Sequence, residues 1–214
     1  MKHVIVYEGL TSIAFAVMQE EYAEQFAPWI NEWHGVNGTT LRPPYSVQSG
    51  KEWIRSLDKE KGRNEVFAVL KREPQRKRQR YTFIGHTGLH GITWPEGFAI
   101  TGSVLGPLGQ GKGYGTEAKL LLLYHAFRVL GLRKVTSSVK GWNAQSLGHL
   151  VKCGYRICGR FRKQRYSRGE YVDEILLETF REDWEPIWEE YQRTRTLPRL
   201  TPEQRALVQK ETAA

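Results

Sequence analysis

Glycines crowd the middle of the chain, in the segment Gln110-Gly111-Lys112-Gly113-Tyr114-Gly115. This segment lies between the strand-like stretch Phe98–Leu105 and a stretch that is predicted to be helical up to Leu130. Glycine has no Cβ atom, so the backbone can approach a ligand closely and can take positive φ angles. The first amides of a helix lack partners within the helix and carry partial positive charge, which favours anion binding. Together with the charge of Lys112, this arrangement predicts a site for a phosphate or pyrophosphate group.

The order of the residues excludes two common phosphate-binding motifs. A Walker A loop has Ser or Thr directly after its Lys, but here Gly113 follows Lys112. A dinucleotide-binding fingerprint has the spacing G-x-G-x-x-G, but Thr116 stands where its third glycine would be. The strands before the segment also read as antiparallel. On these residues alone, the alternative to an anion-binding loop is a glycine-rich turn that binds no ligand.

The glycine segment resembles the signature of the GNAT superfamily of acyl-CoA N-acyltransferases. That signature consists of Gln or Arg, two residues, Gly, one residue, and Gly or Ala. Gln110, Gly113 and Gly115 stand at these positions.

Later residues extend the resemblance to the ribosomal-protein (RimJ/RimL-type) N-terminal acetyltransferases of that superfamily. The run Asn143-Ala144-Gln145-Ser146 looks like their Asn-x-x-Ser helix, and Gly154-Tyr155 looks like the Gly–aromatic pair at its end. The run Arg168–Asp173 resembles the beginning of their closing strand. The resemblance covers roughly Ile13 to Trp184 and is closest after Gly102.

The resemblance implies acetyl-CoA as a co-substrate and no metal. In the family, backbone groups of the strand before the loop bind pantetheine, a backbone amide there can stabilise the oxyanion, and loop amides bind the pyrophosphate. The positions that correspond to CoA-binding residues are Ser103, Val104, Leu105, Gln110, Gly111, Lys112, Gly113, Tyr114, Gly115, Thr116, Asn143 and Ser146.

The resemblance also implies a proton donor for the leaving thiolate, whose thiol has a pKa of about 8.5. The matching position is Ser146, and no Tyr lies between Asn143 and Gly154 to take this role instead. Ser146 as a capping hydroxyl is the structural alternative, and Asn143 could cap the helix, bind pantetheine, or do both.

A general base is harder to assign, because Phe98–Leu105 contains no carboxylate. His86 and His90 lie four residues apart on a predicted strand and face the same side. We name His86 as the candidate base, since imidazole titrates near neutral pH. The alternatives are that His86 is a buried strand residue and His90 a rim residue, that Glu96 serves as the base from its turn, or that water carries the proton.

The elements that position these residues follow from hydrophobic spacing and turn signals. Strands are predicted at His3–Tyr7, Ile13–Met18, Glu65–Lys71, Tyr81–Trp94, Phe98–Leu105, Lys134–Val139, Tyr155–Phe161 and Tyr171–Phe180. Helices are predicted at Glu20–Trp33, Ser46–Lys61, Gly113–Leu130, Asn143–Lys152 and Glu182–Arg195, with a last helix after the N-cap Thr201. The order predicts an α/β (α+β) fold with a mostly antiparallel sheet flanked by helices. We expect this domain at 1–184 and a C-terminal helical extension at 185–214.

The 214 residues carry a formal net charge of +9, which favours anionic partners in general. Two clusters are dense in basic residues: the run Arg76-Lys77-Arg78, and the stretch Arg160–Arg168. The first run could contact RNA or phosphate, or could be a solvated hairpin loop. The second cluster could steer an acidic substrate, or could simply be exposed. The aromatic stripe of Glu182–Arg195 is typical of a core or of a homodimer contact.

Cys153 and Cys158 have no nearby Cys or His partners in the sequence, so we expect both to be buried and reduced rather than zinc ligands. No run approaches the roughly 18 apolar residues of a membrane helix. The first residues do not resemble a signal peptide, so we expect a cytoplasmic protein without a membrane contact.

The first hypothesis for the function is an acetyltransferase that modifies a primary amine, with a protein N-terminus as one candidate acceptor. Within enzymes, the alternative is acetylation of a polyamine, an aminoglycoside or a similar small amine. The alternative from another class is a non-catalytic module that keeps the CoA fold and binds RNA or ribosomes.

Overall fold

The computed structural model describes residues 2–32, 43–73 and 80–213. The chain divides into two units, Met1–Ile92 with Gly102–Ala118, and Thr93–Thr101 with Lys119–Ala214. In the described parts of the chain, no helix is long and apolar enough to cross a membrane, and no cluster of three metal-binding side chains occurs.

The first unit is built on antiparallel strands in the order β1-β2-β3-β4, with the second half of β5 following. These strands are β1 Ile5–Glu8, β2 Ile13–Val17, β3 Glu65–Glu73, β4 Arg80–Thr93 and β5 Phe98–Leu105. The register pairs Ala16 with Ala68 and Leu70 with Phe83, and all four side chains are buried in one core. Neighbouring strands therefore present their apolar residues to the same face.

Two helices cover this face of the first unit. They are α1 Ala23–Asn31, which follows a 3-10 turn, and α2 Val47–Lys59. Phe26 and Ile30 of α1 and Ile54 of α2 lie in the same core as the strand residues. Helix α2 begins at a side-chain cap, because the Ser46 hydroxyl accepts a hydrogen bond from the Ser49 amide at 2.9 Å.

The second unit begins with the first half of β5, which is parallel to β6 over Phe98–Ile100. The strand order is β5-β6-β8-β7, and β8 is antiparallel to both of its neighbours. The further elements of the chain are α3 Tyr114–Tyr124, a π-helical turn His125–Val129, β6 Lys134–Lys140, α4 Ala144–Lys152, β7 Arg156–Ser167, β8 Glu170–Phe180, α5 Arg181–Thr194 and α6 Pro202–Thr212. Helix α3 begins in the first unit and ends in the second.

The aromatic stripe of α5 lies in the core of the second unit. Trp184, Trp188 and Tyr191 are buried. Trp184 packs on Phe127 with ring centroids 5.6 Å apart, and Trp188 packs on Tyr124 at 5.3 Å. The sequence allows either a core or a homodimer contact for this stripe, and the structure shows it in the core. Helix α5 runs across the predicted boundary between 184 and 185, and the division into 1–184 and 185–214 stays a prediction.

The predicted fold class is confirmed, since in both units the strands are mostly antiparallel and helices pack on them. The bounds of β5 are as predicted, and Thr201 caps α6 through its side chain. Strand β7 continues to Ser167 rather than ending at Phe161, because its polar second half pairs with β8. Of the predicted loops, residues 33–42 and the basic run at 76–78 lie outside the described residues.

One expectation about the surface is partly wrong. Cys153 is buried as expected, but Cys158 is exposed, because side chains alternate between the two faces along β7. The basic stretch Arg160–Arg168 is largely part of β7 and is partly neutralised. Arg160 pairs with Asp173 at 3.1 Å, and Arg165 pairs with Glu174 at 2.7 Å.

Candidate active site

The glycine segment starts from a short turn at the end of β5. Pro107–Gly109 forms a single 3-10 turn, and the Gln110 amide is directed at the Pro107 carbonyl at 3.5 Å. The Gln110 side chain folds back and donates from Nε2 to the Leu105 carbonyl at 3.0 Å. Gln110 therefore ties the loop to the last residue of β5, and its backbone amide faces the preceding turn.

Two glycines give the loop its path after Gln110. Gly111 and Gly113 have φ angles of 72° and 82°, in the left-handed region that other residues avoid. A Cβ atom on Gly111 would meet nothing within 4 Å, so the backbone there is bare. Lys112 lies between them and is exposed. The loop thus presents backbone and one positive charge, with no side chain at either glycine to hold a ligand away.

Helix α3 begins directly after this loop. Its first turn closes with the hydrogen bond from the Glu117 amide to the Gly113 carbonyl at 3.1 Å, so the amides of Gly113–Thr116 precede that bond. Gly113 itself has no side chain that could cap the helix. The predicted loop and helix start are therefore present, and their occupation by a pyrophosphate stays a prediction.

The first turn of α3 contains a buried carboxylate that the sequence pattern does not reveal. Glu117 is 1% exposed. Its carboxylate accepts hydrogen bonds from the Thr11 amide and hydroxyl, both at 2.7 Å, and from the Ser12 amide at 2.9 Å. Glu117 thus fastens the start of α3 to the turn between β1 and β2. Its partners are more than one hundred residues away in the chain, so no local pattern could have revealed the contact.

The half of β5 before the loop is fastened to β4. The hydroxyls of Ser103 and Thr87 are 2.6 Å apart, and Thr87 also donates to the Gly102 carbonyl at 3.1 Å. The Ser103 side chain is therefore engaged within the protein. The predicted contact of Ser103, Val104 and Leu105 with pantetheine thus rests on their backbone groups.

His86, the candidate base, lies on β4 and is 8% exposed. Its ring centroid is 4.9 Å from that of Trp53 and 5.4 Å from that of Phe26. Burial, with a smaller effect from the charge of His90, lowers the pKa of His86 to about 4. An imidazole with this pKa is neutral at pH 7 and holds a proton poorly, which supports the alternative of a buried strand residue over a general base.

The other predicted catalytic residues lie in the second unit. The Asn143 side chain caps α4 and accepts a hydrogen bond from the Ser146 amide at 3.0 Å. Ser146 is half-buried, and it contributes its amide to this cap rather than its hydroxyl. The side chain at the N-cap position of α4 is therefore that of Asn143. Glu96 is exposed on the turn between β4 and β5.

The structure thus brings together the end of β5, the glycine loop and the start of α3 within the first unit. Asn143 and Ser146 stand together at the start of α4 in the second unit.

Comparison with known proteins gives a family match and similar folds. The model of the acetyltransferase (GNAT) domain family matches residues 13–156. An uncharacterized N-acetyltransferase derived from the SPbeta prophage, YokL of Bacillus subtilis, is 33% identical over 76 residues. That match spans 36% of this chain and 43% of the relative, so the chain matches less than half of the curated relative's length.

Among solved structures, a spermidine N-acetyltransferase from Vibrio cholerae in complex with CoA and spermine has a similar fold. The TM-score is 0.71 at 17% identity, over 80% of this chain and 97% of that one. A structure described as a probable acetyltransferase also has a TM-score of 0.71, at 20% identity over 83% and 98% of the two chains. Because the family model covers most of the sequence, the chain belongs to the GNAT acetyltransferase family.

Proposed function

We propose that the protein transfers the acetyl group of acetyl-CoA to a primary amine. The observation that carries this proposal is the bare glycine loop that leads from β5 into the start of α3. In a chain of this family, that arrangement supports a donor bound by backbone amides at a helix N-terminus. The pyrophosphate would contact amides from Gly111 to Thr116, Lys112 would add charge, and the backbone of Ser103–Leu105 would bind pantetheine.

The chemistry needs few side chains. The amine nitrogen attacks the thioester carbonyl carbon, and the oxygen takes up negative charge that a backbone amide of β5 would stabilise. The carbon–sulfur bond then breaks, the thiolate leaves with the electron pair, and the amide product loses a proton from nitrogen. In this proposal Ser146 gives a proton to the thiolate and regains one from solvent, and water accepts the proton of the amine, since His86 is a poor base.

Two kinds of amine are candidate acceptors. A protein N-terminus follows from the resemblance to the RimJ/RimL-type enzymes. A polyamine is suggested by the Vibrio cholerae structure, which contains spermine. Contact with RNA or ribosomes, homodimer formation and a cytoplasmic location stay predictions, and the basic run proposed for RNA lies outside the described residues.

Thiol release from acetyl-CoA with a mixture of amines tests the proposal. We expect CoA binding by calorimetry and amine-dependent release of thiol. Absence of CoA binding by the folded protein would overturn the proposal, and binding without turnover would favour the non-catalytic module.

The role of Ser146 is tested separately. Ser146→Ala should lower kcat about 100-fold, because general acids contribute roughly that much or more. Gln145→Ala, at an exposed neighbouring position of α4, is the matched control and should keep normal turnover. If both variants turn over equally fast, Ser146 is not the proton donor, and the acetyltransferase proposal still stands.

A further inference from the structure

The last helix of the chain packs on the helix that carries Ser146. Helix α6 contacts α4, and Val208 of α6 is buried. A Cβ atom on Gly148, in the middle of α4, would lie 3.2 Å from Leu200 and 3.9 Å from Val208. Because glycine has no side chain, α6 can lie close against α4 at this point. Helix α6 lies beyond residues 13–156, so the family match assigns it no role.

The last turn of α6 is also joined to the sheet, through one arginine of β7. Arg160 donates from Nη2 to the carboxylate and to the carbonyl oxygen of Glu211, both at 2.7 Å. Its Nη1 atom donates to the carboxylate of Asp173, on β8, at 3.1 Å. The side chains of Arg160, Asp173 and Glu211 are 24%, 27% and 23% exposed. Charges that are partly buried in this way are screened less than those of an exposed ion pair.

The neighbouring charges keep this ion-pair group ionised. The hydrogen bond to Glu211 raises the pKa of Arg160, and the one to Asp173 raises it further. The pKa of Asp173 is lowered first by the hydrogen bond from the Lys163 amide at 2.9 Å, and then by Arg160. The charge of Arg162 acts in the same direction. Arg160 and Asp173 are therefore both charged at neutral pH, and their ion pair persists there.

Asp173 connects this group to the turn that precedes α4. The Asp173 carbonyl accepts a hydrogen bond from the Gly141 amide at 2.8 Å. A Cβ atom on Gly141 would lie 3.4 Å from Asp173 and 3.8 Å from Nη1 of Arg160. Asn143 closes the same turn through its amide, which donates to the Lys140 carbonyl at 2.8 Å, and its side chain caps α4. The turn before α4 is thus packed against the groups that hold the end of α6.

On this basis, and resting on the proposed function, we infer that α6 positions the start of α4 for catalysis, with Arg160 and Glu211 as positioning residues. Neither residue touches the reacting atoms. Both act through the turn at Gly141 on Ser146, whose hydroxyl has to reach the leaving thiolate within hydrogen-bond distance. Because a misplacement of about 1 Å can lower a rate about 100-fold, a small shift of this turn is enough to slow the proton transfer.

The test measures kcat, the KM of the amine and the Kd for CoA in single variants. The donor is acetyl-CoA, and the acceptor is spermidine, butylamine or a short peptide with a free N-terminus, whichever the wild-type protein acetylates fastest. Arg160→Met removes the hydrogen bonds to Glu211 and Asp173 and should lower kcat about tenfold, with KM and Kd nearly unchanged. Glu211→Ala should lower kcat about threefold, since the Glu211 carbonyl still accepts from Arg160.

Two further variants serve as rescue and control. Arg160→Lys keeps a positive charge between the two acids and should recover part of the lost kcat. Arg156→Met, on the same strand, breaks an ion pair with Asp183 of α5 instead and should keep the kcat of the wild type. A loss of kcat in Arg156→Met equal to that in Arg160→Met would show a general effect on β7, and the inference would fall.

A double variant separates positioning from a merely structural role. If Arg160 acts through Ser146, Ser146→Ala should lower kcat about 100-fold in the wild-type background but only about tenfold in the Arg160→Met background. Equal losses in the two backgrounds would overturn the inference and leave the acetyltransferase proposal standing. If Arg160→Met does not fold, Glu211→Ala supplies the background, and Ser146→Ala should then cost about 30-fold. A wild-type protein that binds no CoA would instead overturn the proposed function itself.

Discussion

Helices α3 and α4 begin in different ways, although the sequence predicts functional residues at both beginnings. Helix α3 follows Gly113, which has no side chain, and its amides before Glu117 precede the first helical bond. Helix α4 follows Asn143, whose side chain already accepts a hydrogen bond from the Ser146 amide. A capping side chain occupies an amide of the first turn, whereas a glycine at that position has no side chain to do so. This comparison predicts that α3 binds the donor through its backbone, whereas α4 contributes side chains.

The largest expected effect concerns the carboxylate that fastens α3. Glu117→Ala removes the buried carboxylate that accepts three hydrogen bonds from Thr11 and Ser12. A hydrogen bond contributes about 1 kcal/mol net, so we expect the free energy of unfolding to fall by about 3 kcal/mol. The affinity for CoA should fall as well, because the start of α3 is no longer held. Denaturant unfolding and calorimetry with CoA measure the two effects.

The control for this variant is a carboxylate that is half-exposed. Glu178 pairs with Lys134 at 3.0 Å, and Glu178→Ala should cost at most about 1 kcal/mol. Equal losses in the two variants would show that Glu117 is not an anchor.

The second prediction concerns the glycine loop. Gly111→Ala should weaken CoA binding about tenfold, because a Cβ atom is added where the backbone faces the ligand and because alanine is strained at this φ angle. Gly131→Ala is a matched control, since Gly131 has a φ angle of 69° and equally open surroundings at the end of the π-helical turn. Both variants should lose about 1 kcal/mol of stability, but only Gly111→Ala should lose affinity. A similar loss of affinity in both would contradict a donor site at the loop.

The glycine loop and its flanking elements could be predicted because their sequence signals are local. The glycines, the strand before them and the helix after them are adjacent in the chain, and the bounds of β5 were predicted correctly. A cap at Asn143 was one of the alternatives left open for this residue, and its side chain does cap α4. Backbone geometry of this kind depends on near neighbours, so a short run of residues determines it.

The remaining features depend on contacts between distant segments. The Glu117 carboxylate accepts hydrogen bonds from Thr11 and Ser12, which lie more than one hundred positions earlier in the chain, so the local sequence does not reveal its role. His86 was named as a base because imidazole titrates near neutral pH, but rings from α1 and α2 surround it and keep it neutral. The polar second half of β7 lacks the alternation that marks a strand, and its pairing with β8 was therefore not foreseen.

The third prediction tests the side-chain cap of α4. Asn143→Ala should lower the free energy of unfolding by about 1 kcal/mol, the usual loss for a capping side chain. Thr201→Ala removes the comparable cap of α6 and should cost a similar amount. Unfolding curves compare the two, and calorimetry should show the same CoA affinity in both as in the wild type. A loss of affinity confined to Asn143→Ala would instead give Asn143 the pantetheine contact that the sequence left open.

The smallest expected effect concerns the charge beside the beginning of α3. Lys112 is exposed, so its attraction to a pyrophosphate is weakened by water and by salt. Lys112→Met should lower CoA affinity about threefold at low salt, which corresponds to roughly 0.7 kcal/mol and is within the range of exposed charge pairs. At high salt the variant and the wild type should bind equally. Lys210→Met, at an exposed position in the last turn of α6, is the control and should match the wild type at both salt concentrations. A large loss of affinity that persists at high salt would show that Lys112 matters more than the backbone amides. The comparison of the two helix beginnings would then fail.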